Sequence, residues 1–113
     1  MENIVVETMI NYNEYLEKLV VGSKNIYTEL RNSEVNKAVT QIVDFSEGVN
    51  WMISVNEKLG NLGHVNELNI DQIIEFLNEI NNGLEVKDYL LVADIFEHEV
   101  VPFFESCSTY NIQ

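Results

Sequence analysis

Asp94 and His98 come nearest to a chemical site in this sequence. They are four residues apart, so on a helix both side chains can point toward one ligand. A di-metal bundle, however, uses inward-facing Glu residues and Glu-x-x-His motifs on paired helices. Here both residues fall on a polar helix face, and the only other histidine, His64, is in a predicted loop. The pattern favours a solvent-exposed pair, and we predict no metal and no cofactor.

Glu99 is the second candidate, because on the helical wheel it lies close to the apolar stripe, between Val92 and Ile95. Carboxylates are rarely fully buried without a partner, so a rim residue that reaches water is the first interpretation. The alternative is a partly buried acid held by a tyrosine hydroxyl, the Trp51 indole or the carbonyl groups near Pro102. Burial would then raise the pKa of this carboxyl.

Nucleophilic catalysis has little support in the sequence. Cys107 is the single cysteine, and no basic residue lies near it along the chain to lower its pKa. The serines occur in no nucleophile-elbow motif. Gly60 and Gly63 lack the Lys and Ser/Thr of a phosphate-binding loop. We therefore predict that the protein is not an enzyme.

The charge distribution points to a class of partner. Nineteen acidic and six basic residues give a net charge of −13. From Leu59 onward, ten acids stand against one base, Lys87. This negative field repels phosphate backbones and anionic lipid, so we predict no nucleic-acid and no membrane partner. The same field favours a basic protein partner.

A ridge of acids marks the outer face of the predicted third helix. Asp71, Glu75 and Glu79 are successive neighbours four residues apart, a spacing at which like charges cost stability. The ridge is therefore either a solvated face or a docking surface for a Lys/Arg-rich partner. Three acids of the last helix would extend it into a continuous acidic flank: Asp94, Glu97 and Glu105.

Trp51 is the other candidate for partner binding, because Trp is enriched at interface hot spots. On the helical wheel it projects almost opposite the apolar centre, beside Val55. A partner helix would dock against such a surface with both residues as contacts. The alternative is that the loop Gly60–Asn69 folds back and covers Trp51 through Leu62 and Val65.

Hydrophobic residues that recur with a helical period position these side chains. The predicted helices span about residues 5–31, 34–59, 70–82 and 88–109. In the first helix the apolar seam alternates steps of four and three residues: Val5, Met9, Tyr12, Leu16, Leu19, Ser23, Ile26 and Leu30. The inward residues of the third are predicted to be Ile70, Ile73, Ile74, Leu77 and Ile80. Those of the last are predicted to be Tyr89, Val92, Ile95, Phe96, Val100, Phe103 and Cys107.

Local signals give the helix boundaries. Ser33, Asn69 and Asp88 are the predicted N-caps of the second, third and last helices. Gly60 and Gly83 are the predicted stop signals of the second and third helices.

Two features of the last segment stand out. Pro102 has no N–H to give the carbonyl of His98, so it predicts a kink. The tail from Tyr110 to Gln113 is expected to be frayed.

The chain is predicted to be a single helical domain over residues 1–113. No strand pattern and no repeat is evident, so the fold class is all-α, an antiparallel up-down four-helix bundle. A three-helix bundle with a short extra helix is the alternative. A lone cysteine fits a reducing compartment. With no signal-peptide pattern and no apolar run of about 18 residues, the predicted location is the cytoplasm.

Two motifs carry a resemblance. The pair Gly48-x-x-Trp51, followed by Asp88-Tyr89 and Glu97-His98-Glu99-x-x-Pro102, resembles a group of uncharacterised small bacterial helical proteins. Those share Gly-x-x-Trp and an acidic–aromatic–acidic segment before Pro; here His98 stands at the aromatic position. The resemblance covers about the second half of the chain. It implies a helical bundle of unknown function and brings no catalytic residue.

In size, charge and helicity the chain is also similar to flagellar and secretion chaperones, by analogy only. The predicted function is a non-enzymatic protein-interaction module, an adaptor or chaperone-like protein. One alternative is a homodimer that buries residues 100–104, because Val101 and Phe104 extend the apolar surface beyond one stripe. The other is a metal-binding bundle in which Asp94, His98 and Glu99 meet a ligand from a second helix.

Overall fold

The computed structural model describes residues 3–112, which contain helices and connecting turns but no strand. The first three helices are α1 (Asn3–Arg31), α2 (Val35–Asn61) and α3 (Ile70–Glu85). The last helix is made of α4 (Tyr89–Ile95), a π-helical turn (Phe96–Val100) and α5 (Val101–Ser106). The all-α prediction is confirmed. None of the helices in this range is both long and apolar enough to cross a membrane.

Helix α1 packs antiparallel to α2. In the first half of α1, the Tyr15 ring meets Trp51 from the second half of α2, with 5.5 Å between centroids. At the opposite end, Gln41 Nε2 donates to Glu29 Oε1 at 3.0 Å. Residue numbers therefore rise along α1 while they fall along α2.

The last helix also runs antiparallel to α1. Lys24 Nζ lies 3.8 Å from Glu105 Oε2, and Arg31 Nη2 donates to Asp94 Oδ1 at 2.9 Å. Helix α1 thus neighbours both α2 and the last helix, and α3 packs on α4.

The seam predicted for α1 is its buried face from Met9 to Leu30. At the centre of the core, five phenylalanines contribute edge-to-face contacts with centroids 5.0 to 6.1 Å apart. Such pairs are worth about 0.5–1.5 kcal/mol beyond the area they bury. The five come from α2, α3 and the last helix: Phe45, Phe76, Phe96, Phe103 and Phe104. In α3 the prediction was wrong at two positions, since Ile74 is 49% exposed and Phe76 is 1% exposed.

Two of the three predicted N-caps are confirmed. Asn69 Oδ1 accepts from the N–H of Gln72, and Asp88 Oδ1 accepts from the N–H of Leu91, both at 3.1 Å. The prediction for Ser33 was wrong. Its φ is +63°, in the left-handed region, so it ends α1 instead of beginning α2.

Both predicted stop signals were wrong by a few residues. Helix α3 continues through Gly83 to Glu85, because Gly83 is a packing position: a Cβ there would lie 2.7 Å from Val92 Cγ2. Helix α2 passes Gly60 and ends at Asn61. The glycine with positive φ, +93°, is Gly63.

Pro102 predicts a kink in the last helix, and the structure has a π-helical turn just before this proline. The N–H of Val101 bonds to the carbonyl of Phe96, a five-residue step. This wider turn adds a residue to the helical period just before the proline, so the inward face widens, and Val100 and Phe103 stay buried beside the added positions. Val101 and Phe104 consequently turn inward, to 6% and 2% exposed.

The homodimer alternative was therefore wrong about its surface. Every residue of the 100–104 region except the proline is buried in the core. A second copy of the chain finds no apolar patch there.

The prediction of a frayed tail was also wrong at Tyr110, which is 5% exposed. The side-chain amide of Asn13 makes two hydrogen bonds with the Tyr110 backbone. Its Nδ2 donates to the Tyr110 carbonyl at 2.9 Å, and its Oδ1 accepts from the Tyr110 N–H at 2.8 Å. Asn56 Nδ2 donates to the Tyr110 hydroxyl at 3.0 Å. The tail thus lies against α1 and α2 at one end of the molecule. Gln113 lies outside the described residues.

Candidate functional site

An open groove of about 510 Å³ runs between α1 and α2, and Trp51 stands at its edge. The indole is 40% exposed. Its neighbours in the groove are polar, charged or aromatic, apart from one glycine. The groove, called the Trp51 groove below, is lined by Asn11, Glu14, Tyr15, Lys18, Asp44, Glu47, Gly48 and Trp51.

A close contact between helices fixes the aromatic part of this groove. The ring of Tyr15 lies directly on Gly48, where any Cβ would be 1.5 Å from Tyr15 Oη. The same ring meets Trp51 edge to face, at 5.5 Å and 74°. Gly48 and Trp51 are three residues apart and on one side of α2. The ring of Tyr15 is therefore held between the α2 backbone at Gly48 and the indole of Trp51.

The groove is acidic. Three carboxylates line it, from Glu14, Asp44 and Glu47, against one ammonium group, that of Lys18. Burial, together with the negative charge of Asp44, raises the pKa of the Tyr15 hydroxyl above its ordinary 10.0. Tyr15 therefore stays neutral at physiological pH. Within residues 3–112, Lys18 makes no ion pair.

A smaller extension of about 180 Å³ continues the groove along α1. It shares Tyr15, Lys18 and Asp44 with the Trp51 groove, and its accessible lining is mostly apolar, although Leu19 and Ile26 are themselves almost fully buried. The surface around Trp51 is thus mixed, with an aromatic and acidic end and a more apolar end.

Leu62 and Val65, the two residues of the loop 60–69 that were candidates to cover Trp51, do not cover it. Leu62 is 64% exposed and Val65 is 82% exposed. Asn56 instead ties the loop to α2, donating to the Asn66 carbonyl at 2.8 Å. Asn66 Nδ2 in turn donates to the Ser108 carbonyl at 2.9 Å.

Val55 does not share the surface with Trp51, so its placement as a partner contact was wrong. It is 8% exposed and belongs to the core. The reason is its spacing from Met52 and Leu59, both also buried, since residues three and four apart share a helix face.

The acidic flank predicted along α3 and the last helix divides into separate clusters. Arg31 of α1 pairs with Asp94 at 2.9 Å and also with Glu97. Lys24 lies 3.8 Å from Glu105. These three acids therefore have basic neighbours from α1 and do not form one uncompensated surface with α3.

Glu99 lies where the first interpretation put it, at the rim and in contact with water, and the alternative of a partly buried acid held by a tyrosine, by Trp51 or by carbonyl groups near Pro102 was wrong. It is an exposed residue, and its partners are two acids of α3. Partial desolvation raises the pKa of Glu99 above its ordinary 4.5, and a hydrogen bond with Glu79 and the negative charges of Glu79 and Glu75 raise it further. Asp71, the remaining member of the ridge, is exposed.

The π-helical turn brings a potential metal-ligand set together. One ligand atom from each of Asp94, Glu97 and His98 lies within 4.8 Å of the others. The group from a second helix that reaches this set is the guanidinium of Arg31, whose positive charge opposes a metal cation at that distance. Glu99 is not a member of the set.

The cysteine offers no activated nucleophile. Cys107 is half-buried, and burial raises the pKa of its thiol above the ordinary 9.0. A thiol that stays protonated at neutral pH is a weak nucleophile.

Sequence reasoning placed Asp44, Glu47 and Gly48 beside Trp51 but missed Tyr15 and Lys18 as groove residues. Tyr15 lies outside the predicted seam of α1, so the pattern marks it only as an aromatic residue on the surface. One signal does point to it: a glycine inside a helix, Gly48, marks a close approach by a neighbouring element.

Residues 7–110 match a family model whose description is "Domain of unknown function (DUF8042)". The match covers nearly the whole described chain. No curated protein and no solved structure matches the chain.

Proposed function

The chain belongs to the DUF8042 family, and from this premise we propose that it is a non-enzymatic protein-interaction module of adaptor or chaperone type. The proposed partner is a protein with a basic surface, and the proposed docking site is the Trp51 groove. The observation that carries the proposal is the indole of Trp51, partly exposed in a groove lined by three carboxylates.

The exposed indole supports this proposal on energetic grounds. A tryptophan that is 40% exposed in the free protein has apolar surface left to bury in a complex. Trp is also among the residues that most often dominate binding energy at protein interfaces. Because Tyr15 and Gly48 already hold the ring in place, little side-chain freedom is lost on binding.

The charge of the chain supports a basic partner. The net charge of −13 attracts such a protein over a distance set by ionic strength. Glu75 and Glu79, which lie close enough to act on the charge of Glu99, add to this field. In this proposal, the surface acids attract the basic partner and speed its association, and the partner then docks at Trp51.

Two further features support a non-enzymatic role in the cytoplasm. The thiol of Cys107 is not activated, and the carboxylates nearest His98 are engaged by Arg31. The single cysteine fits a reducing compartment. A bacterial source is part of the same proposal, supported by the resemblance of the Gly48-x-x-Trp51 motif.

The test is affinity capture from native cytosol with three forms of the protein: wild type, Trp51→Ala and Ile74→Ala. Ile74 is a matched control, since it is 49% exposed but lies on α3, outside the groove. We expect a partner that Trp51→Ala loses and Ile74→Ala retains, with affinity for the purified partner reduced at least about tenfold by Trp51→Ala. A partner held equally by all three forms contradicts the proposal.

Charge reversal separates steering from docking. Glu75→Lys with Glu79→Lys should slow association with the purified partner at low salt and change its dissociation little. An association rate independent of both the substitutions and the salt concentration contradicts the steering role.

A further inference from the structure

We propose that the Trp51 groove contains a subsite for one organic cation, the side chain of a lysine or arginine carried by the protein partner. The subsite is the corner where Trp51 and Tyr15 meet over Gly48, beside Asp44 and Glu47. The inference rests on the proposed function and adds the chemistry of the residue that is recognised.

The two rings have the arrangement that cation recognition needs. They meet at 74° with 5.5 Å between centroids, so the edge of one ring contacts the other and the free faces form a corner. Aromatic faces attract ammonium and guanidinium groups within about 6 Å, and Trp is the strongest of them. The chain uses the same chemistry internally: the Arg31 guanidinium carbon lies 5.9 Å from the centre of the Tyr27 ring.

Backbone packing holds this corner open in the free protein. Tyr15 rests on Gly48 so closely that a Cβ at that position would be 1.5 Å from its hydroxyl. The ring cannot drop further toward α2, and Trp51 blocks it on one side. A site formed before its ligand arrives loses less entropy on binding.

The charges that surround the corner select a cation. Asp44 and Glu47 line the groove next to the rings, and the charge of Asp44 is close enough to raise the pKa of Tyr15. A carboxylate or phosphate would be repelled by the same groups. Among residues 3–112, Lys18 is the one cation that lines this groove, and it competes with the ligand for the carboxylates.

The extension of the groove favours a side chain of a protein over a free polyamine. Beyond Tyr15, the groove continues along α1 to Gly22, and the accessible lining of this extension is mostly apolar, so apolar residues that flank a lysine find apolar surface there. A polyamine has no such groups to place. The occupant is therefore a basic residue within an apolar or amphipathic segment.

The test uses the fluorescence of Trp51, the single tryptophan of the chain, which makes the signal specific for this groove. The intact protein is titrated at constant ionic strength with acetyl-Leu-Lys-Leu-amide, its uncharged norleucine analogue, and spermidine. We expect a saturable change with the lysine peptide, an apparent Kd at least about fivefold higher for the norleucine analogue, and weaker binding of spermidine.

Variants that keep Trp51 check which groups make the subsite. Asp44→Asn with Glu47→Gln should raise the Kd of the lysine peptide at least about fivefold. Asp71→Asn with Glu75→Gln makes the same change of net charge on α3 and should leave the Kd within about twofold. Tyr15→Leu should weaken binding, and Lys18→Gln, which removes the competing cation, should strengthen it.

Three results overturn the subsite: equal binding of the lysine and norleucine peptides, equal effects of the two double substitutions, or spermidine binding tighter than the lysine peptide. The proposed function fails by a different result, the retention of the captured partner by Trp51→Ala. A partner lost by Trp51→Ala, together with no preference for lysine, removes the subsite and leaves the interaction module.

Discussion

Two aromatic pairs on α1 have nearly the same geometry in opposite surroundings. Tyr12 meets Tyr110 edge to face, with 4.8 Å between centroids and 78° between planes. Tyr15, three residues later, meets Trp51 at 5.5 Å and 74°. Tyr12 and Tyr110 are 0% and 5% exposed, whereas Trp51 is 40% exposed.

The polar groups beside the two pairs differ in the same way. Amide side chains surround the first: Asn13 bonds to the backbone of Tyr110 and Asn56 to its hydroxyl. Carboxylates line the groove around the second pair. Neutral amides can be buried once their hydrogen bonds are made, whereas carboxylates stay near water.

The two pairs differ in whether another segment of the chain covers them. The tail passes over Tyr12, and among residues 3–112 no comparable segment lies over the Trp51 groove. The same ring contact therefore contributes mainly to stability at Tyr12 and, under our proposal, mainly to recognition at Tyr15.

The largest expected effect is the loss of the covered pair. Tyr110→Ala removes a buried ring and the acceptor of the Asn56 amide, so we expect the free energy of unfolding to fall by about 3 kcal/mol. Trp51→Ala removes a ring that is already partly in water, and its effect should stay below about 1 kcal/mol. Urea denaturation followed by circular dichroism measures both.

The ratio of the stability losses in Tyr110→Ala and Trp51→Ala tests whether the two aromatic pairs differ in their contribution to stability. If Trp51→Ala destabilises the fold as much as Tyr110→Ala, the indole is a core residue and not a surface reserved for a partner. Tyr110→Phe keeps the ring and removes the hydroxyl, and should fall between wild type and Tyr110→Ala, at about 1 kcal/mol.

Gly48 and Gly22, both inside long helices, are expected to change stability in opposite directions when replaced by alanine. Gly48→Ala places a methyl group inside the ring of Tyr15, and we expect a loss of about 1–3 kcal/mol from overpacking. Gly22→Ala meets no atom within 4 Å, so its better helix propensity should raise stability by up to about 1 kcal/mol. Both are single Gly-to-Ala changes within long helices, which makes each the control for the other.

The readouts for the glycine pair are the urea midpoint and the emission maximum of Trp51. Gly48→Ala should change the emission, because Tyr15 has to leave the indole. A gain in stability for Gly48→Ala, like the gain expected for Gly22→Ala, would show that the Tyr15–Gly48 contact is not tight in solution.

The sequence predicted the α1 face well for a physical reason. Its inward residues, all apolar except Ser23, alternate steps of four and three, and a long helix that packs along its whole length has that seam buried. Asn69 and Asp88 were predicted as caps because capping is a local interaction between a side chain and an N–H group three residues away.

Other positions depend on contacts that no local pattern contains. Gly83 reads as a stop signal by composition, yet it lies inside α3 because Val92 of α4 requires a residue without a side chain. Val101 and Phe104 were assigned outward because the helical wheel assumes a constant period, which the π-helical turn breaks.

The Trp51 groove shows the same limit. The sequence marked Trp51 as unusual, because a large aromatic residue projected opposite the apolar centre of α2. It did not place Tyr15 there, since the contact joins residues more than thirty positions apart on two helices. Val55 was misplaced because the apolar face of α2 is wider than the wheel suggested.

The smallest expected effect distinguishes the two tyrosines of α1 by their titration. Burial, first of all, raises the pKa of Tyr12 far above the ordinary 10.0, and the charges that Tyr110 and Cys107 acquire at high pH raise it further. Burial and the charge of Asp44 raise the pKa of Tyr15. Below pH 10 both stay protonated in the folded and unfolded chains. Above pH 10 the unfolded chain releases these protons first, so stability falls as pH rises, by up to about 1.4 kcal/mol per pH unit for each such tyrosine.

Asp44→Asn should therefore lower the pKa of Tyr15 and leave that of Tyr12 unchanged, because the carboxylate lines the groove and has no part in the covered pair. NMR of protein with ¹³C-labelled tyrosine rings follows each residue separately, and Tyr15→Phe and Tyr12→Phe assign the signals. Equal shifts of both tyrosines would mean that Asp44 acts through the general negative field of the chain. A shift confined to Tyr15 places the charge at the aromatic corner, which is the position that the recognition of a cation requires.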